Sequence, residues 1–339
     1  MTKLLLSTIA FGALTAAGFA QRIDIGWPTP NAAYFEGKPI SEFIQPTASG
    51  EIESGLFGCR RSGGRQYHEA VDLKPLKRDR RGEPTDPVFA AMKGVVRYIS
   101  RNPGNSNYGR YVVLEHLDVE PAIYTLYAHL AEVSSTISVG AVVARGQPLG
   151  VMGRSSSEQA IPRERAHLHF EMGVVLTNNF ESWYETKKFG NRNYHGIYNG
   201  MNLLGFDPLD FFDQFRGRRV NTFRDYFSHL QPAVRLRIAT RRIPDYVQRY
   251  PSLLAKPLPT GDLIGGWEVS FNEMGLPFSF TPLTPMEMMS VAPDQVQILD
   301  ANAAILKGHR CKSLVFERRG KWAIGRDLET VLQLVFGLR

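Results

Sequence analysis

Residues 167–172 read His167-Leu168-His169-Phe170-Glu171-Met172, polar and apolar side chains in strict alternation. A period of two is the pattern of a β-strand, which puts residues i and i+2 on one face. His167 and His169 therefore point the same way, and Leu168 faces the opposite core. Two imidazoles directed at one centre suit a metal ion or a proton-transfer site. Far upstream stands His68-Glu69-Ala70-Val71-Asp72. Its HxxxD spacing is too long for neighbours on one flat strand. It predicts a bend, with His68 before it and Asp72 after it, leading into a strand. Between these pieces lies Tyr127-Ala128-His129-Leu130, so four of the chain's eight histidines sit in three short runs. Imidazole nitrogens with a carboxylate are the donors that a borderline-soft cation such as Zn²⁺ prefers.

Around these runs, short β-rich segments alternate with turn residues: Gly94-Val95-Val96-Arg97-Tyr98-Ile99, Tyr111-Val112-Val113-Leu114-Glu115, Ala122-Ile123-Tyr124-Thr125-Leu126-Tyr127 and Pro148-Leu149-Gly150-Val151-Met152. Such lengths and spacings predict a mainly β domain from about residue 56, an antiparallel sandwich-like or barrel-like sheet. Residues 21–55, with Trp27-Pro28-Thr29-Pro30, read as an extended arm able to wrap a neighbour. Residues 177–210 are polar and aromatic and read as a long surface excursion that closes this domain. Residues 211–339 read as an α+β C-terminal region of unknown role. It has one or two helices in Phe211–Arg242, a hairpin from Gly266–Phe271 and Phe278–Phe280, and a helix spaced by Leu328, Val331, Leu332 and Val335.

The chain has 339 residues, 43% hydrophobic and 22% charged, an ordinary globular composition with room for one large core or two domains. Lys3, an apolar run from Leu4 to Gly18 and the small residues of Gly18-Phe19-Ala20 read as a secretory signal over residues 1–20. No later stretch approaches the roughly 18 apolar residues of a membrane helix. The expected protein is therefore exported, to a periplasm or beyond, without a transmembrane span. Its formal net charge of +7, of which removal of Lys3 takes one, favours anionic surfaces such as cell-wall polymers. A basic-and-aromatic module is missing, which argues against nucleic acid as a partner. Cys59 and Cys311 are the two cysteines. They form no CxxC, and in an exported chain they are expected to pair, stapling the C-terminal region onto the metal-bearing domain.

From about residue 58 to 173 the chain resembles the lysostaphin-type zinc endopeptidases, which cleave peptide bonds in bacterial peptidoglycan. The landmarks follow in order: Tyr67-His68-Glu69-Ala70-Val71-Asp72-Leu73, Pro87 to Val96, Gly109 to His116, Tyr124 to Leu130, Val143 to Gly153, and His167-Leu168-His169-Phe170-Glu171. The resemblance implies a compact antiparallel β-fold, the duplicated hybrid motif. It implies one Zn²⁺ per chain on His68, Asp72 and His169, three protein donors that leave a position for water. It also implies two unliganded histidines, His129 and His167. One would pass a proton from water to the leaving amine and the other would hold water or oxyanion, with His167 preferred as the shuttle for standing two residues from a donor.

The other histidines read differently. His116 is expected to be structural and hydrogen-bonded, and His195, His229 and His309 lie outside the motifs. Glu171 is either a carboxylate that orients a metal donor or a solvated strand residue. Two loops depart from the family. Lys74–Asp86 is strongly basic, and Lys77, Arg78, Arg80 and Arg81 form either a solvated surface or a grip on anionic wall material. Arg154–Ala166 should border the substrate cleft. The expected function is zinc-dependent hydrolysis of peptide stems and crosslinks in peptidoglycan, with a D-alanyl-diaminopimelate bond as target if the host has a periplasm. The C-terminal region offers a surface for a protein partner. Two alternatives are a non-catalytic regulator of a separate wall amidase on the same fold and an exported protease for glycine-rich proteins. All five chemical positions are filled here, which favours an enzyme.

Overall fold

Two antiparallel β-sheets and a β-hairpin frame the first two-thirds of the protein, and a four-stranded sheet, a second hairpin and helices complete it. The computed structural model describes residues 22–259, 263–293 and 295–338. The expected secretory signal lies outside the described residues. Along the chain, a hairpin of β1 (Gly58–Arg61) and β2 (Gln66–His68) leads into β3 (Val71–Leu73), β4 (Pro87–Phe89), β5 (Gly94–Ser100) and β6 (Tyr111–Glu115). Then come β7 (Tyr124–Ala128), β8 (Glu132–Val133), β9 (Val142–Val143), β10 (Pro148–Val151) and β11 (Leu168–Val175). Helix α1 (Phe180–Lys187) and β12 (Leu203–Phe206) follow. The larger sheet runs β12-β11-β7-β6-β5-β9, with β3 also paired to β11, and the smaller runs β4-β10-β8.

The alternation read in the sequence decides the layers. Leu168, Phe170, Met172 and Val174 of β11 enter the main core with Val112, Leu114 and Tyr127. Tyr111, Val113, Tyr124, Leu126 and Ala128 face the other way, into a second cluster. Each fully buried Leu or Phe contributes about 1.5–3 kcal/mol by leaving water. The cover of that second face is a finding the sequence did not anticipate. Tyr198 and Leu203, from the stretch read as a surface excursion, close it, and β12 pairs with β11 from Met172 to Val175. Gly173 permits that pairing, since a Cβ there would lie 2.5 Å from the Leu204 carbonyl oxygen.

The arm wraps this chain itself. Trp27 stacks on Tyr34 with ring centroids 4.7 Å apart and packs edge-on against Phe43 and Phe212. Ile44 bridges Leu73 of β3, and the Gln45 amide donates to the Asp72 carbonyl at 2.8 Å. Strand β3 is thus held by the arm on one side and β11 on the other.

The C-terminal region is α+β as expected. Helix α2 (Pro208–Arg216) is capped by the Asp207 carboxylate, and α3 (Phe223–His229) by a Thr222–Asp225 capping box. A four-stranded sheet joins β13 (Val234–Ile238), β14 (Gly266–Phe271), β15 (Pro277–Leu283) and β16 (Val296–Ala301) in the order β15-β14-β13-β16. Helices α4 (Asp245–Arg249), α5 (Ala303–Gly308) and α6 (Arg326–Phe336) and a hairpin of β17 (Val315–Arg318) and β18 (Lys321–Ile324) complete it. The main core is continuous from Val71 and Phe206 to Trp267 and Val335. A Cys59–Cys311 disulfide ties β1 to the segment after α5. Among the described residues, no helix is long and apolar enough to cross a membrane.

Candidate metal centre

Sheet register brings the first two sequence motifs together. Antiparallel pairing of β3 with β11 sets Asp72 opposite His169, and pairing of β7 with β11 sets Ala128 opposite His169 on the other side. The next residue after Ala128 is His129. Strand β2 ends on His68, and the chain bends through Glu69 and Ala70 into β3. His167 stands just before β11 and bridges Gly153. His129 has φ +60, a left-handed conformation uncommon outside glycine.

The donor atoms of His68, Asp72 and His169 lie within 4.8 Å of one another, all three buried. Their protonation follows from the second nitrogen of each ring. His68 Nδ1 lies 2.9 Å from the Leu56 carbonyl, His167 Nδ1 2.7 Å from the Arg165 carbonyl, and His169 Nε2 2.9 Å from Glu171 Oε1. Those oxygens can only accept, so these nitrogens carry the hydrogen. The opposite nitrogens turn toward Asp72 Oδ1: His68 Nε2 at 3.1 Å, His167 Nε2 at 3.3 Å and His169 Nδ1 at 3.3 Å. His68 Nε2 and His169 Nδ1 are themselves 3.4 Å apart. Asp72 Oδ1 is buried and has no hydrogen-bond partner. Lone pairs facing a carboxylate oxygen repel unless a positive charge sits among them. Burial would push the His169 imidazole down, but the adjacent Asp72 and Glu171 carboxylates lift it to about 9. Burial would raise the Asp72 carboxyl, but His167, His68 and His169 hold it well below the usual range. Two nitrogens and one oxygen converging on one point fit a divalent metal ion.

Supporting groups surround this set. Glu171 is buried, not solvated, and its Oε2 accepts from the Tyr124 hydroxyl at 2.8 Å. Arg61 Nη2 donates to Asp72 Oδ2 at 2.6 Å. The Tyr108 ring lies 5.3 Å from that of His169. None of Tyr124, Arg61 and Tyr108 was singled out in the sequence. Tyr124 shares the parity of Leu126 and Ala128, and that parity was a usable signal; Arg61 and Tyr108 leave no periodic trace.

His129 differs from the rest. Its Nδ1 donates to the Ser155 carbonyl at 2.8 Å, and its Nε2 has no hydrogen-bond partner among the described residues. Burial, with His167 and His169 beside it, holds it well below the usual histidine range, so it is neutral. Gly109, at φ +62, allows the turn after Tyr108 to press against Ser155, where a Cβ would lie 2.3 Å from the Ser155 oxygen. The remaining histidines stand apart. His116 is held between the Lys93 carbonyl and Thr125 Oγ1, and burial pushes it down to about 4. His195 lines the cleft, but its Nδ1 is occupied by the Tyr98 and Tyr111 hydroxyls and its Nε2 by the Asn105 carbonyl. His229 and His309 bond Gln214 and the Ile305 carbonyl.

These groups open into a cleft of about 1060 Å³. Its rim includes Ser156, Ile161 and Arg165 of the Arg154–Ala166 loop, and Tyr184, Arg192 and Tyr194 of the stretch covering the sheet. The two long loops lock together. Glu83 receives Arg154 Nε at 2.9 Å and Arg163 Nε at 2.8 Å, and Arg78 donates to the Arg163 carbonyl at 2.6 Å. Lys77, Arg78, Arg80 and Arg81 are all exposed, and of these Arg78 is engaged within the protein.

The model of peptidase family M23 matches residues 67–180. No curated protein matches the chain. Among solved structures, a zinc-containing peptidase from Vibrio cholerae is 24% identical over 44% of this chain and 37% of its own length, with a TM-score of 0.30. The catalytic domain of lysostaphin from Staphylococcus simulans is 19% identical over 51% of this chain and 95% of its own, with a TM-score of 0.31. The catalytic domain of a variant of the prophage-encoded M23 protein EnpA from Enterococcus faecalis is 19% identical over 39% and 80%, with a TM-score of 0.28. The chain thus spans little more than a third of the Vibrio protein. Residues 67–180 belong to peptidase family M23, the lysostaphin-type family.

Proposed function

We propose that this protein is a zinc-dependent endopeptidase that hydrolyses peptide crosslinks of bacterial peptidoglycan, with residues 56–210 as the catalytic unit and 211–339 as an accessory region. One observation carries the reading: two imidazole nitrogens and Asp72 Oδ1 converge in a buried set able to hold a metal ion, opening into a cleft. His68, Asp72 and His169 would hold Zn²⁺. When bound, zinc supplies a water acidified toward a pKa of about 7 and polarises a carbonyl. The chain's own residues do the rest. His129, neutral and free at Nε2, accepts a proton and delivers it to the leaving amine. We assign the shuttle to His129 rather than His167 because His167 Nε2 already faces Asp72 Oδ1 at 3.3 Å. His167 holds water or the developing oxyanion. A cleft of about 1060 Å³ has room for a segment of peptide. Export to a periplasm or beyond agrees with the Cys59–Cys311 disulfide, since such bonds persist in oxidising compartments.

The test is digestion of purified crosslinked sacculi by residues 21–339, with and without zinc chelation, beside His169→Ala. The expected result is loss of crosslinked muropeptides, abolished by the chelator and by the substitution. Intact sacculi in the presence of one bound Zn²⁺ per chain would overturn the enzyme in favour of a regulator. Digestion of glycine-rich protein instead of sacculi would move the substrate.

A further inference from the structure

Arg61 lines the cleft beside the metal-holding set. Its Nη2 donates to Asp72 Oδ2 at 2.6 Å, and its Nε donates to the Ser54 carbonyl at 3.0 Å. The guanidinium is thus fixed at two points, one on the carboxylate and one on the backbone. Asp72 is left with its two oxygens in different situations: Oδ2 engaged by Arg61, Oδ1 facing three imidazoles without a hydrogen bond. A carboxylate can give a metal ion one oxygen or both. Here the second oxygen is already taken.

We propose that Arg61 is a positioning residue that restricts Asp72 to donating Oδ1 alone. This rests on the zinc reading above. The consequence is a set of three protein donors with a position left for water, the arrangement of a catalytic and not a structural zinc site. Hydrogen-bond partners of metal-holding side chains commonly fix their orientation in this way. A guanidinium suits the task because its donors form a rigid planar fork, whereas an ammonium is a point charge on a flexible stem.

The fold keeps Arg61 in place by local means. The β1–β2 hairpin sets Arg61 opposite Gln66, after an irregularity between Cys59 and Arg61 that shifts the register. Two residues before Arg61, the Cys59–Cys311 disulfide anchors the same strand to the C-terminal region. The hairpin's other strand ends on His68. One short hairpin therefore carries a proposed metal donor and the group that orients another, and the accessory region braces it.

Charge alone makes the opposite forecast, which gives the experiment its force. A cation this near the metal should weaken Zn²⁺ binding, so its removal should tighten binding if Arg61 acts only through charge. The measurement is Zn²⁺ affinity by chelator competition, together with the visible absorption of the Co²⁺-substituted protein, for the wild type, Arg61→Met and Arg61→Lys. The expected result for Arg61→Met is a loss of about 10–100-fold in Zn²⁺ affinity. Its Co²⁺ bands should weaken as Oδ2 joins the metal and the coordination number rises. Arg61→Lys, with charge but no fork, should fall between. Thermal melts establish folding, and if Arg61→Met does not fold, the Lys variant carries the test alone. Zn²⁺ binding equal to or tighter than wild type, with an unchanged Co²⁺ spectrum, in a folded variant would overturn the role of Arg61. Failure of the wild type to bind Zn²⁺ would instead overturn the metal reading, and this inference with it.

Discussion

His169 stands within β11 between hydrogen-bonded strands on both sides, whereas His129 and His167 stand at strand ends and rely on the carbonyls of a loop. On the floor of the cleft, the His169 ring is tied to Glu171, Glu171 to Tyr124, and Asp72 to the arm and to Arg61. These anchors belong to buried strands or to segments packed on them. On the rim, His129 leans on the Ser155 carbonyl and His167 on the Arg165 carbonyl, near the two ends of the Arg154–Ala166 loop. Ser155 is further secured, since its hydroxyl donates to the Leu130 carbonyl at 2.8 Å; Arg165 sits in a short 3₁₀ turn. On the proposed reading, the difference teaches that holding a metal and moving a proton rest on separable parts. A change in the loop should reach proton transfer before it reaches the metal.

The largest effect that would break this division is at His129. His129→Asn should lower kcat/KM on crosslinked muropeptides by about 10²–10⁴-fold, the usual contribution of a general acid–base group. Zinc content, read by metal analysis, should stay at the wild-type level. The melting temperature should hold or rise, because asparagine tolerates the left-handed backbone better than most residues. Loss of zinc from the purified variant would mean that floor and rim are one unit.

A smaller effect sharpens the other side. Glu171→Gln removes the carboxylate that fixes the His169 tautomer through its 2.9 Å contact with Nε2. Zn²⁺ affinity should fall by about 10–100-fold, and saturating Zn²⁺ should restore most of the digestion rate. A rate defect that added Zn²⁺ does not repair would make Glu171 part of the proton-transfer machinery instead.

What the sequence could say about this site follows the same division. The strict alternation of 167–172 makes β11 legible, and the HxxxD bend makes the entry to β3 legible. Both are local patterns that backbone geometry imposes on side chains. The register that sets Asp72 opposite His169 was not legible, because strand pairing is a long-range fact with no period of its own. The left-handed turn at His129 was not legible either, since histidine carries none of the conformational signal of glycine. Residues 177–210 misled for a different reason. Polar composition suggested exposure, yet Asn202 is fully buried because its amide donates to the Thr177 and Ile197 carbonyls at 2.8 and 2.9 Å. A buried polar group with its hydrogen bonds made is stable inside, and composition cannot tell it from a solvated one. Arg61 was hidden likewise, as one of two adjacent arginines with no periodic pattern to tell them apart.

The smallest predicted effect tests whether the rim responds to its own supports. Glu83 joins the Lys74–Asp86 loop to the Arg154–Ala166 loop by accepting from Arg154 and Arg163. Hydrogen bonds from Arg154 come first among the causes that hold the Glu83 carboxyl below its ordinary value. Glu83 and its partners are partly exposed, so each pair is worth only about 0–1 kcal/mol to stability. Glu83→Gln should therefore leave the melting temperature and Zn²⁺ affinity near wild type. Loosening the loop frees the Arg165 carbonyl that orients His167 more than the Ser155 carbonyl, which its own hydroxyl network still secures. A free-energy change of that size corresponds to a fall in kcat/KM of about two- to five-fold, with kcat and KM both shifted because the loop also borders the cleft. Zn²⁺ affinity that drops together with kcat/KM would show the loop bracing the floor, and the separation of metal holding from proton transfer would have to be abandoned.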